Sequence, residues 1–319
     1  MKRRLVVTRT MPPTVTARVA AAYDARFLDM VGGFDAEIFL AALDGADAVL
    51  VTPADRIDAA LIALMPVSLK VIGTFSVGTD HIDLDAARAS LLAVVNTPDV
   101  LSFATAEIAL TLMLMAARRA GEGERLVRAL AWRGWTPDFM LGSSLEGRTL
   151  GILGMGRIGR ALARMVDGLS MRVIYHNRTP LPADQAHGAA YYAGEDEFLA
   201  ACDVLSIHLP GGAATRHWLN ADRIARLRPG AIVVNTGRGS TIDDEALIAA
   251  LRSGRVAAAG LDVFAAEPAV PAGYLDMETV VLLPHLGSAT HETRAAMGML
   301  ALDGIDAVLD GDHPANQLV

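Results

Sequence analysis

The chain has 319 residues, 52% hydrophobic and 20% charged, with a formal net charge of −8 at pH 7, a globular composition long enough for two domains of about 100–200 residues each. The acidic balance and the lack of a long basic run argue against a nucleic-acid partner, and no run of about eighteen apolar residues suggests a membrane span. The single cysteine, Cys202, rules out a disulfide framework or a thiolate metal cluster within the chain.

Leu5-Val6-Val7, following Met1-Lys2-Arg3-Arg4, is too short for a secretory signal and reads as a first strand, so a cytoplasmic location is expected. Further β-rich runs at 48–51, 69–74 and 93–96 alternate with Ala-rich helical stretches at 36–43 and 59–65, the rhythm of βαβ units on a parallel sheet. Residues 102–120, after Pro98, have few polar positions (Thr105, Glu107, Thr111) before Arg118-Arg119 and predict a long, mostly buried helix ending near Gly121. Trp132, Trp135 and the turn Glu146-Gly147 precede a second series of strands at 149–153, 171–175, 204–208, 231–235, 257–261 and 280–283. Six strands in that rhythm predict a doubly wound dinucleotide fold. Residues 291–309 are again helical and are expected to return to the first lobe. The fold class expected is α/β in two lobes, a substrate domain of residues 1–98 plus 291–319 and a dinucleotide-binding domain of residues 99–290, with a deep cleft between them.

Strand 149–153 runs directly into Gly154-Met155-Gly156-Arg157-Ile158-Gly159, and a helical stretch follows. In that setting Gly154 makes the tight turn, Gly156 lets a pyrophosphate approach the backbone, and Gly159 allows the helix to pack on the strand, while the helix N-terminus offers N–H groups and positive dipole to the anion. The next strand ends in His176-Asn177-Arg178-Thr179, where a carboxylate would be needed for the ribose 2′-OH of NAD. Arg178 can instead pair with a 2′-phosphate, and Asn177 and Thr179 can donate to it, so NADPH is the expected cofactor, with NADH weaker.

Polar groups follow three later strands: Asn235-Thr236-Gly237-Arg238-Gly239, Asp262 with Glu267-Pro268, and Pro284-His285-Leu286-Gly287-Ser288. In an open parallel sheet such strand ends form the ligand crevice. No spacing among the His and Cys residues suggests a zinc site. His81, in Asp80-His81-Ile82-Asp83, fits a turn and helix start, and Asp243-Asp244-Glu245 an N-cap with an acidic first turn stopped at Gly254.

Taken in order, Ser76-Val77-Gly78-Thr79-Asp80-His81-Ile82-Asp83, Ala104-Thr105-Ala106-Glu107, the phosphate loop and the Arg, Glu and His motifs resemble the D-isomer-specific 2-hydroxyacid dehydrogenases over essentially the whole chain. The resemblance is greatest to the NADPH-dependent glyoxylate/hydroxypyruvate reductases. It implies a catalytic set of Arg238, Glu267 and His285, with the N–H groups of Val77 and Gly78 binding the substrate carboxylate and the lobes closing on the substrate. An imidazolium at His285 suits proton delivery to a keto oxygen during hydride transfer. Glu267 would favour the charged ring, and Arg238 would hold the substrate or polarise its carbonyl. Thr105, His208, Thr236 and Asp262 join the loop as expected cofactor contacts. The resemblance also implies a homodimer, with Trp132 and Trp135 in the region that forms it. Rival readings are an NAD-linked D-2-hydroxyacid dehydrogenase of the D-lactate or phosphoglycerate type and a non-catalytic, cofactor-sensing scaffold.

Overall fold

A computed structural model describes residues 2–319. In chain order the elements are β1 (Arg4–Val7), α1 (Pro13–Ala22), β2 (Asp24–Phe27), α2 (Ala36–Ala42), β3 (Ala48–Val51), α3 (Ala59–Ile62), β4 (Val71–Thr74), α4 (Leu84–Ala89), β5 (Ala93–Val95), α5 (Ser102–Arg118) and α6 (Ala120–Arg128). There follow β6 (Thr149–Leu153), α7 (Arg157–Met165), β7 (Arg172–His176), β8 (Ala190–Tyr191), α8 (Glu195–Ala201), β9 (Val204–Ile207), α9 (Ala221–Arg226), β10 (Ala231–Asn235), α10 (Asp244–Arg252), β11 (Val256–Leu261), α11 (Ala272–Leu275), β12 (Val280–Leu282) and α12 (His291–Asp310). They form two compact units, one of residues up to Leu101 with Ala289–Val319, the other Ser102–Ser288. Among the described residues no helix is long and apolar enough to cross a membrane.

The first unit carries a five-stranded parallel sheet in the order β2-β1-β3-β4-β5. β3 and β4 are buried along their whole length, as all-parallel strands covered on both faces must be. On one face Ala301, Leu302 and Ile305 of α12 are fully buried with Leu5, Val7, Leu50 and Val71. The approach is close, because a Cβ on Gly73 would lie 2.6 Å from Ile305 Cδ1.

The second unit is a seven-stranded parallel sheet in the order β12-β11-β10-β9-β6-β7-β8. α5 buries a face of small residues, including Ala106, Ala109 and Ala116, and a Cβ on Gly260 of β11 would sit 2.7 Å from Leu112 Cβ. Cys202 is fully buried, with its Sγ donating to the Phe198 carbonyl, and burial pushes its thiol pKa up, so it is a packing residue.

Three elements depart from the sequence expectation. β2 was not foreseen: it is an edge strand reading Asp-Ala-Arg-Phe, mostly exposed, without the apolar run that marks a buried strand. The second sheet has a seventh strand, the two-residue β8. The expected helix 102–120 stops at Arg118; Arg119 takes a left-handed conformation, φ 53°, and α6 starts beyond it. Arg119 then grips Glu122 through Nε and Nη2, at 2.7 and 2.6 Å, fixing the new direction.

Candidate active site

Parallel strands deliver all their carboxyl ends to one edge of the second sheet, and every candidate catalytic or cofactor residue of this unit, apart from Thr105 on α5, follows such an end. At the β6 end the three loop glycines have three different reasons. Gly154 has φ 91°, and a Cβ there would come within 3.1 Å of the His208 carbonyl. Gly159 must be glycine for α7 to lie on β6, since a Cβ would meet Gly154 O and Ile152 Cγ2 at 2.8 Å. Gly156 faces open space, with nothing within 4 Å of a Cβ, and no side chain caps the N-terminus of α7. A backbone cradle that a Cβ would fill, at an uncapped helix start, fits the pyrophosphate of a dinucleotide. Arg157 and Ile158 form the first turn of that helix.

The β7 end is tied to this loop. Gly154 N–H donates to the His176 carbonyl at 3.1 Å, and the buried Met155 donates to Asn177 Oδ1 at 2.7 Å. Tyr191 Oη holds the Asn177 carbonyl, and the Leu181 N–H donates to Tyr175 Oη. Arg178 and Thr179 are exposed on the turn so fixed. Asn177 thus turns its side-chain oxygen toward the phosphate loop and keeps its two amide N–H donors for a ligand.

At the next strand ends His208 lies between two hydroxyls, Nε2 2.9 Å from Ser206 Oγ and Nδ1 3.1 Å from Thr236 Oγ1. Burial lowers its pKa to about 4. The sequence reading expected His208 among the cofactor contacts; its ring engages both nitrogens inside the protein.

Arg238 follows β10 on a backbone held from below. Asn235, fully buried, accepts from the Gly237 N–H and donates to the Arg238 carbonyl, each at 3.0 Å; Thr241 Oγ1 donates to the same carbonyl at 2.7 Å. Gly239 packs its Cα against the next loop so closely that a Cβ would lie 2.0 Å from the Phe264 carbonyl carbon.

That loop brings Glu267 beside His285: Glu267 Oε2 and His285 Nδ1 are 2.7 Å apart, and Oε1 accepts from the Phe264 N–H at 2.9 Å. Burial would raise the Glu267 pKa, but the hydrogen bond and charge of His285, the Phe264 N–H and the nearby charge of Arg238 outweigh it and leave the carboxyl below its ordinary value. The His285 side chain is 40% exposed. Its backbone sits at φ 54°, a conformation that disfavours residues with a Cβ. Asp262 holds it there: the His285 N–H donates to the Asp262 carbonyl, and the Leu286 and Gly287 N–H groups donate to Oδ1 and Oδ2 at 2.6 and 2.8 Å. Asp262 is 1% exposed, and burial raises its pKa against those N–H groups and the His285 charge. Thr105 Oγ1 reaches the Gly287 carbonyl from α5 at 3.1 Å. Sequence reasoning had placed Asp262 and Thr105 against the cofactor; their visible work is to shape the histidine turn. Ser206 was missed as a site-forming residue, and Asn235 was noted only as part of its motif, because residue type does not say which carbonyl or ring a buried side chain will meet.

In the first unit the turn after β4 holds Val77 and Gly78. The Thr97 N–H donates to the Ser76 carbonyl and Asn96 Nδ2 to the Val77 carbonyl, each at 2.9 Å, which fixes the peptide planes that carry the Val77 and Gly78 N–H groups, and Ser76 Oγ donates to the Gly78 carbonyl at 2.7 Å. His81 Nε2 lies 2.9 Å from Thr74 Oγ1, and Asp83 caps α4. Among the described residues no cluster of His, Cys, Asp and Glu could hold a metal ion.

Along the edge the order is therefore His285 (β12), Asp262 and Glu267 (β11), Arg238 and Thr236 (β10), His208 (β9), the glycine loop (β6) and Asn177-Arg178 (β7). A proton-bearing pair stands at one end and an anion cradle toward the other. The profile of the D-isomer specific 2-hydroxyacid dehydrogenase NAD binding domain matches residues 110–287. Glycerate dehydrogenase of Hyphomicrobium methylovorum is 39% identical over 97% of both chains, and glyoxylate reductase of Aeropyrum pernix 41% identical over 99% of this chain and 96% of its own. Among solved structures, an NADPH-dependent glyoxylate/hydroxypyruvate reductase from Sinorhizobium meliloti, in complex with NADP and malonate, superposes with a TM-score of 0.90 at 33% identity, covering 100% of this chain and 97% of that one.

Proposed function

Because the chain belongs to the D-isomer specific 2-hydroxyacid dehydrogenase family and is an NAD(P)-dependent enzyme, we propose that it reduces a small 2-keto acid such as glyoxylate or hydroxypyruvate, with NADPH as the preferred reductant. The observation that carries the reading is the Glu267–His285 pair, 2.7 Å apart, on the same sheet edge as the glycine cradle and the Asn177-Arg178 turn. The chemistry that a reduced nicotinamide dinucleotide supplies when bound there is hydride transfer to the keto carbon.

His285 has Nδ1 committed to Glu267, so Nε2 is the atom that delivers a proton to the keto oxygen. Glu267, ionised, favours the protonated ring and sets its orientation. Arg238 remains cationic and either anchors the substrate carboxylate or stabilises negative charge on the keto oxygen. Val77 and Gly78, on a turn with fixed peptide planes, offer N–H groups for the carboxylate. Gly154, Gly156, Arg157, Ile158 and Gly159 hold the pyrophosphate. Arg178, with the amide N–H of Asn177 and the hydroxyl of Thr179, pairs with the 2′-phosphate.

The test is NADPH and NADH consumption with a panel of 2-keto acids. A higher kcat/KM with NADPH, and turnover of glyoxylate or hydroxypyruvate, is expected. A preference for NADH would overturn the assignment of Arg178, and no turnover of any 2-keto acid would overturn the reaction. We also assign the assembled form to a homodimer, supported by exposed apolar side chains between α6 and β6.

A further inference from the structure

Midway along the edge, between the histidine pair and the phosphate loop, Ser206, His208 and Thr236 form a short hydrogen-bonded chain. Ser206 is 1% and Thr236 6% exposed. Both hydrogen-bond partners of the imidazole are hydroxyls, which give the charged form no counter-ion, so the ring is neutral and carries one N–H and one lone pair. Two arrangements are then possible. With the proton on Nε2, Ser206 would be the acceptor, and its own O–H would have no acceptor, since Ser206 Oγ has no other partner among the described residues. A buried donor left unmade is penalised. With the proton on Nδ1, Ser206 donates to Nε2 and His208 donates to Thr236 Oγ1. One hydroxyl proton is left over in either arrangement; here it is that of Thr236, which follows β10 at the functional edge and is the less deeply buried of the two, 6% against 1% exposed, whereas Ser206 lies within β9.

The backbone around this chain is wedged between the two functional loops. A Cβ on Gly154 would lie 3.1 Å from the His208 carbonyl, and one on Gly237 would lie 3.4 Å from His208 C and 2.6 Å from Leu209 O. We infer that Ser206 and His208 are positioning residues that turn the Thr236 hydroxyl into a fixed hydrogen-bond donor to an oxygen of the bound dinucleotide between its nicotinamide and its pyrophosphate. The inference rests on the dinucleotide reading above and adds to it a residue, Ser206, that touches no ligand yet governs cofactor affinity.

The experiment is an NADPH titration of the wild-type enzyme and of Thr236→Val, Thr236→Ser, Ser206→Ala and the Ser206→Ala/Thr236→Val double variant, each first checked by thermal melting. Thr236→Val is expected to bind about fivefold to tenfold more weakly, the loss of one hydrogen bond, and Thr236→Ser to bind like wild type. Ser206→Ala is expected to bind several-fold more weakly, and the double variant no more weakly than Thr236→Val alone, because both changes remove the same bond. Nitrogen-15 spectra of the wild-type protein should show His208 protonated on Nδ1. Additive losses, Ser206→Ala binding within twofold of wild type, or a proton on Nε2 would each overturn the inference. A wild-type enzyme that binds neither NADPH nor NADH would bring down the dinucleotide reading itself, a result visible before any variant is compared.

Discussion

Three backbone and side-chain bonds to one buried carboxylate residue keep His285 in a left-handed conformation that a residue with a Cβ adopts only at a cost of about 1 kcal/mol or more. Asp262→Ala removes the acceptor of two N–H groups, so the turn should relax and kcat fall by about tenfold or more, with KM for NADPH changing less. Steady-state kinetics that showed unchanged kcat would free the turn from Asp262. His285→Ala should lose about 10²-fold or more in turnover while keeping NADPH binding; near-normal turnover would remove it from the acid role. The pH dependence of stability has a definite sign at His208. Its folded pKa, about 4, lies below the unfolded value of about 6.5, so the unfolded chain binds more protons between those values and stability falls as pH drops through that window. At pH 5 the loss amounts to at most about 2 kcal/mol. Melting temperature should therefore fall further between pH 7 and pH 5 for wild type than for His208→Gln, and parallel shifts would contradict the half-buried neutral ring. Glu267 acts lower: its depressed pKa contributes stability above the ordinary glutamate range that is lost as pH falls through the folded value. At this scale Arg238, Glu267 and His285 were singled out by the family resemblance, their strand-end positions alone being equally consistent with structural roles, and the fold brings Glu267 and His285 together. The supports beneath them, Asp262, Asn235 and Ser206, were not legible as such, since the direction of a buried hydrogen bond depends on which loops meet.

The glycine loop separates two demands that look identical in the sequence. Gly159 serves packing, whereas Gly156 leaves room. Gly156→Ala should accordingly melt within a degree or two of wild type and still raise KM for NADPH by about tenfold, while Gly159→Ala should lower the melting temperature because its Cβ meets backbone at 2.8 Å. Equal losses of stability in both variants would refute the division. The strand-loop-helix unit could be read in advance because its glycine spacing, apolar strand and helical continuation agree with one another. β2 and the Arg119 break could not: the first is too exposed and polar to carry a strand pattern, and the second depends on one left-handed residue within a stretch of good helix formers.

For the molecule as a whole, the sequence placed the strands of the second sheet in their chain order, but the functional row follows the spatial order, in which β6 lies between β9 and β7. That rearrangement comes from right-handed crossovers running outward in both directions from the middle of the sheet, so the neighbours of the phosphate loop follow from the expected topology rather than from proximity in the chain. The segment between α6 and β6 leaves Leu130 92%, Trp135 77% and Leu141 67% exposed, more apolar surface in one stretch than a lone chain usually shows. Light scattering should give twice the 33.6 kDa chain mass, and Trp135→Asp combined with Leu141→Asp should halve it; a wild-type monomer would refute the dimer. A different consequence follows from α12, which supplies Ala301, Leu302 and Ile305 to the core beneath β1, β3 and β4. During synthesis those strands leave the ribosome long before the helix that covers one of their faces, and the entire second unit is made in between. The first sheet to be translated is thus the last to be finished, and until residues 291–310 emerge that apolar face has only Val15 and Val19 of α1 to cover it.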